Sequence, residues 1–204
     1  TGVLGSQIAF QTAYSGFDVI ACDVSDDVLA KARLRLAALV ETYRKEVPGA
    51  VGGKEAEAIR RLTLSTDLAA AVADADLVIE AVPEVLAFKQ AVYEQLATLA
   101  PARTIFATNS STLLPSALKA FTGRPDRFLA LHFANNIWKF NTAEVMGTDD
   151  TDPSVFETVL KFAADIGMEP IPIRKEWTSA LATLVVFVVV GLIHGWLGPN
   201  PFGM

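Results

Sequence analysis

Apolar positions fall in short runs separated by stretches of helical spacing. The runs are 17–22 FDVIAC, 62–65 LTLS, 77–82 LVIEAV, 104–108 TIFAT, 128–131 FLAL, 142–146 TAEVM and 169–173 EPIPI. Each has the length of a strand and reads as one. Helices are predicted between them, over about 26–46, 84–99, 114–121 and 153–166, with shorter ones over 55–60 and 68–73. Near the start, Ile8, Ala9, Ala13 and Tyr14 form an apolar helix face that Gly16 closes. Two helix starts carry clear signals. Ser25 precedes Asp26 and Asp27, and Asp152 precedes Pro153. Alternating strands and helices predict a mainly parallel α/β sheet.

One stretch departs from this rhythm. Residues 178–197, TSALATLVVFVVVGLIHGWL, contain no Asp, Glu, Lys or Arg. The length suits a membrane span, a helix buried all round, or a strand over its valines. Its flanks argue against a span: Arg174 and Lys175 lie upstream, and only an uncharged end, 199–204, follows. A buried or self-associating segment, mostly helical, is expected.

The 204 residues are enough for one sizeable core, and the 51 % apolar and 20 % charged shares are those of a folded globular chain. A formal charge of −6 without a basic block argues against a nucleic-acid partner. The single cysteine, Cys22, excludes an intramolecular disulfide. With no signal peptide read at the start, a cytoplasmic location is expected. The chain opens at Thr1 with Gly2 already inside a motif, so the true N-terminus is expected upstream.

Candidate chemistry sits where the strands end. Gly2 and Gly5 stand at a helix start, in the roles of the second and third glycines of a dinucleotide fingerprint. Asp23 follows a strand eighteen residues after Gly5, where such folds place the acid that binds ribose hydroxyls. With Asp26 and Asp27 beside it and no adjacent arginine, NAD is preferred over NADP. Glu84 and Lys89 follow 77–82, as a site pair or an exposed helix pair. Asn109, Ser110 and Ser111 follow 104–108. His132 stands at the end of the 128–131 run, and Glu144 lies twelve residues on. Adjacent strands would let Glu144 accept the His132 Nδ1–H and leave Nε2 as a base. A core histidine and a surface glutamate are the plainer alternative. No metal is expected.

DLVIEAVPE, ATNSST, GRPDRFLALHFAN and the glutamate of TAEVMG together resemble the NAD-dependent 3-hydroxyacyl-CoA dehydrogenase family of β-oxidation. The resemblance runs from Thr1 to about Glu176. It implies a Rossmann-like, doubly wound, mainly parallel sheet over residues 1–176 and oxidation of L-3-hydroxyacyl-CoA to 3-oxoacyl-CoA. His132 would be the base, Glu144 its orienting partner, and Ser111 a contact to the substrate hydroxyl and the cofactor. Gly2, Gly5, Asp23, Glu84, Lys89 and Asn135 would belong to the NAD site. A non-catalytic NAD-binding fragment, or a dehydrogenase of another hydroxy acid, is the alternative.

Three departures from the family pattern stand out. The first strand and first glycine are absent, which predicts a gap between 17–22 and 77–82. Ala134 and Asn136 replace the Phe and Pro of HFFNP. After Lys175 and Glu176, the family's Pro-Gly-[Phe/Tyr]-Ile and its helical domain give way to Trp177-Thr178-Ser179 and an apolar segment, 177–204. That domain covers the acyl-CoA and usually forms the family's homodimer.

Overall fold

The computed structural model describes residues 1–48, 50 and 52–173. The expectations for 177–204, its helix and its membrane reading, lie outside the described residues. Among the described residues, no helix is long and apolar enough to cross a membrane.

The order of elements is α1 (Val3–Tyr14), β1 (Val19–Cys22), α2 (Asp26–Glu46), α3 (Lys54–Arg60), β2 (Leu62–Ser65), α4 (Leu68–Val72) and β3 (Leu77–Glu80). There follow α5 (Leu86–Leu99), β4 (Ile105–Thr108), α6 (Pro115–Leu118), β5 (Phe128–Phe133), β6 (Thr142–Gly147), α7 (Pro153–Asp165) and β7 (Glu169–Ile173). Both read helix starts hold. The Ser25 hydroxyl accepts from Val28 N–H at 3.4 Å, and the Asp152 carboxylate accepts from Ser154 N–H at 2.7 Å. Each satisfies a donor that the first turn leaves without a partner.

The strands form a two-stranded sheet, β1–β2, and a five-stranded sheet in the order β3-β4-β5-β6-β7. β1 and β3 share no ladder, so the split falls at the expected gap. Every ladder is parallel except β5–β6. Side chains alternate across the larger sheet. Ala107, Leu129, Leu131 and Val145 pack with Val155, Val159 and Ala163 of α7. Phe106 and Phe128 face the other way, onto Tyr93 and Leu96 of α5 and Leu118 of α6. Helices on both faces explain why these strands read as apolar runs rather than alternating ones.

The halves are joined by packing, through α1. Its Ile8 belongs to the core of the larger sheet, while Phe10, Ala13 and Tyr14 pack against Leu36, Leu39 and Tyr43 of α2. Gln11 spans the same seam. Its Nε2 donates to the Ile166 carbonyl at 2.6 Å, and its Oε1 accepts from the Tyr43 hydroxyl.

Candidate active site

The β5–β6 register decides the central pair. His132 lies directly opposite Glu144 in the antiparallel ladder. Facing residues on such strands share a face and stand close enough to touch. Both point away from the core that Leu131, Phe133, Ala143 and Val145 fill. The His132 Nδ1 is 2.9 Å from Glu144 Oε2, with the side chains 15 % and 7 % exposed. An ionised carboxylate can only accept, so Nδ1 carries the proton and Nε2 is left for a ligand. β5 runs two residues further than expected, so His132 lies inside the strand rather than at its end. That pins its backbone on both sides.

Ser111 is exposed in the loop after β4. Asn109 ties this loop to the histidine strand, because its Oδ1 accepts from Phe133 N–H at 3.0 Å. The loop owes its shape to Glu84. One oxygen, Oε1, accepts from the Ser110 hydroxyl, Ser111 N–H at 3.1 Å, Thr112 N–H at 2.8 Å and Leu113 N–H at 3.1 Å. Glu84 therefore precedes α5 instead of lying on it, with Val85 as N-cap. Burial works to raise its pKa, but these donors outweigh burial and pull it down to about 2. A depressed carboxyl contributes stability that is present above its ordinary value of 4.5 and lost as pH falls through about 2. The group is about one-third exposed, so after screening this amounts to about 1–2 kcal/mol. Urea midpoints measured between pH 5 and pH 2 should fall further for the wild type than for Glu84→Gln; parallel falls would remove Glu84 from the account.

Of the two readings of Lys89, the exposed helix pair is ruled out by its burial. Lys89 is 1 % exposed, and its Nζ lies 2.7 Å from Glu80 Oε1 and 3.4 Å from Glu84 Oε2. Glu80, which the sequence reading missed, is the hub. It also accepts from Val82 N–H at 2.8 Å, Thr108 Oγ1 at 2.8 Å and Tyr93 OH at 3.3 Å. Burial, then the Glu80 charge, push the Tyr93 phenol far up, so it stays a neutral donor. Lys89 thus stands under the loops as a support. The available signal was a glutamate inside the apolar run 77–82, since a buried charge requires a partner.

The glycine turn lies at the same edge. An added Cβ on Gly2 would meet nothing within 4 Å, and one on Gly5 would meet Ala81 Cβ, just after β3, at 3.7 Å. That is ordinary van der Waals contact. Thr1 Oγ1 donates to Asp23 Oδ2 at 2.7 Å, which sets the turn beside the acid at the end of β1. An arginine is close in space although none adjoins Asp23 in sequence. Arg35, from α2, donates to the Thr1 carbonyl at 3.3 Å. Asn135 is exposed in the loop after β5.

These strand-end groups line one edge of a doubly wound sheet, the usual ligand crevice of such folds. The chain belongs to the 3-hydroxyacyl-CoA dehydrogenase family: the family's model of the "3-hydroxyacyl-CoA dehydrogenase, NAD binding domain" matches residues 1–177. It is therefore a domain of an oxidoreductase family whose cofactor is NAD. The mitochondrial hydroxyacyl-coenzyme A dehydrogenase of Rattus norvegicus is 33 % identical over 174 residues, covering 83 % of this chain and 55 % of the relative. An L-carnitine dehydrogenase of Bacillus cereus is 32 % identical over 182 residues, covering 89 % and 54 %. A solved diketoreductase, described as acting on dicarbonyl compounds, is 54 % identical with a TM-score of 0.87, covering 98 % of this chain and 72 % of that one. The chain spans about half the length of the curated relatives it matches.

Proposed function

We propose that this chain is the cofactor-binding and catalytic part of an NAD-dependent oxidoreductase that converts L-3-hydroxyacyl-CoA to 3-oxoacyl-CoA and back. The observation that carries the reading is the 2.9 Å contact of His132 Nδ1 with Glu144 at the ligand edge. The unit that does this work is residues 1–176. NAD suits the residues present. Gly2 leaves open space for a pyrophosphate, and Asp23 offers a carboxylate to ribose hydroxyls. Bound NAD would supply the hydride acceptor.

The protein's part is to hold the substrate and move one proton. His132 Nε2 takes the proton of the 3-hydroxyl as hydride leaves C3, and returns it in the reverse direction. Glu144 keeps the ring oriented and stabilises the imidazolium. Ser111 holds the hydroxyl oxygen. Asn109 and Glu84 keep the serine loop against β5.

A second reading is a dicarbonyl compound not joined to CoA. Identity of 54 % to the diketoreductase, against 33 % to the rat CoA enzyme, favours it. So do Ala134 and Asn136, which depart from the CoA-family pattern beside His132. The test is NADH oxidation by the full-length enzyme with acetoacetyl-CoA and with a diketo ester lacking CoA. Turnover of the thioester supports the first reading, turnover of the ester alone supports the second, and turnover of neither overturns both.

Asp23→Ala is expected to weaken NAD by about ten- to a hundredfold, the worth of a hydrogen bond to a charged group. It should also narrow the gap to NADP, because Arg35 is left near the turn without the carboxylate. Calorimetry with both dinucleotides measures this, and an unchanged NAD affinity would take Asp23 out of the site.

A further inference from the structure

The loop that follows the histidine strand has a conformation of its own. Asn136 has φ +60°, and no other non-glycine residue among those described has a positive φ. Its N–H donates to Gln7 Oε1 at 2.8 Å, and Ile137 N–H reaches the same oxygen at 3.4 Å. The Asn136 carbonyl then accepts from Lys139 N–H at 2.8 Å and Phe140 N–H at 2.9 Å, which closes a turn. Gln7 is buried on α1, two residues beyond Gly5 of the glycine motif. The turn straddles the seam between the two sheets. Ile137 is buried in the core of the larger one, while Trp138 packs against the α1–α2 core. The Trp138 Nε1 donates to Glu46 Oε2 at 2.8 Å, and its ring lies 6.0 Å from that of Tyr43.

Three physical points follow. A buried amide oxygen with two backbone donors fixes the place of the loop, since losing it would leave those N–H groups unpaired. A left-handed residue is costly for most side chains, asparagine and glycine being the exceptions. Proline is excluded, because its φ is locked near −65° and it has no N–H to give. Gln7 and Asn136 therefore work as a pair. Residues 134–136 carry Asn135 and begin two places after His132, so the pair sets how the histidine strand meets the cofactor helix.

We propose that Gln7 is a positioning residue for the reaction: through the Asn136 and Ile137 amides it locks the loop after β5 onto the cofactor-binding helix. This rests on the assignment of His132 and the glycine turn made above. Gln7 itself touches neither substrate nor cofactor. Its loss shifts the loop and with it the approach of the hydroxyl to both His132 and the nicotinamide.

In the full-length enzyme, Gln7→Leu is expected to lower kcat by about 10²-fold, the usual cost of a misplacement near 1 Å. NAD affinity by calorimetry should fall far less than kcat, through Asn135 alone, because Gly2 and Asp23 are untouched. Gln7→Glu keeps an acceptor at the same place and should restore most of the rate. Asn136→Gly, which retains both the φ and the N–H, should remain active. Asn136→Pro should match Gln7→Leu, and the double variant should be little worse than either. An unchanged kcat in Gln7→Leu, or no rescue by Gln7→Glu, overturns the proposal. So does NAD affinity that falls in step with kcat, which would mark a general loss of structure. Amide hydrogen exchange gives a readout free of turnover: Asn136 and Ile137 should be protected in the wild type and Gln7→Glu but open in Gln7→Leu. Equal protection in Gln7→Leu refutes the lock. If the wild type turns over none of the substrates named above, the proposed reaction fails while exchange still decides the lock.

Discussion

Replacing His132 by Gln in the full-length enzyme is expected to lower kcat by about 10²–10⁴-fold, the range that a positioned acid–base group supplies. Glutamine keeps a hydrogen-bonding amide in the same slot but cannot take a proton at neutral pH. Glu144→Gln is expected to cost less. It leaves an acceptor 2.9 Å from Nδ1, so the ring can keep its orientation, but it removes the charge that stabilises the imidazolium. Because the carboxylate acts only through the histidine, the double variant should be little worse than His132→Gln alone. Multiplicative losses would show two independent groups and sink the dyad. NAD affinity should be the same in all three proteins, which separates lost chemistry from a lost cofactor site.

The contact of His132 with Glu144 is allowed by two adjacent strand-like runs, but on these two residues alone a core histidine and a surface glutamate is the plainer reading, and the family resemblance supplies the pairing. The order of helices and strands was legible for local reasons. Ser25, Asp152 and Pro153 announce their helices through bonds made within three residues. The break between β1 and β3 was foreseen from the family pattern, and hydrophobic spacing alone carries no trace of it. What escaped was set by tertiary contact. Glu80 and Lys89 are nine residues apart, on a strand and a helix, and only the packing of α5 under β3 and β4 brings them together. From the sequence, Lys89 therefore reads either as an NAD-site residue, by the family resemblance, or as part of an exposed helix pair, and not as a buried partner of Glu80. The end of 77–82 and the start of α5 were blurred by Glu84, whose hydrogen-bond donors in the serine loop lie more than twenty-five residues away. The link from Gln7 to Asn136 spans 129 residues and depends on a left-handed turn, so nothing local announces it.

The largest expected change in stability comes from Lys89. Lys89→Met fills similar space but leaves the Glu80 carboxylate 1 % exposed with no cation. Stranding a buried charge in this way costs about 3–5 kcal/mol. The reciprocal change, Glu80→Gln, should cost less. Lys89 would keep Glu84 Oε2 at 3.4 Å and the Val82 carbonyl at 3.4 Å, while the glutamine oxygen could still accept from Thr108 or Tyr93. The double variant carries no stranded charge and should recover part of the loss seen in Lys89→Met. That non-additivity is the signature of a direct pair. Urea unfolding of the full-length enzyme, followed by tryptophan fluorescence and by NAD binding, measures both consequences. The serine loop rests on this network through Thr108 and Glu84, so NAD affinity should fall alongside stability in Lys89→Met and return in part in the double variant. A Lys89→Met protein within 1 kcal/mol of wild type would mean that Glu80 is content without its cation, by taking up a proton or by reaching water. The loops after β3 and β4 would then be held by Glu84 and Asn109.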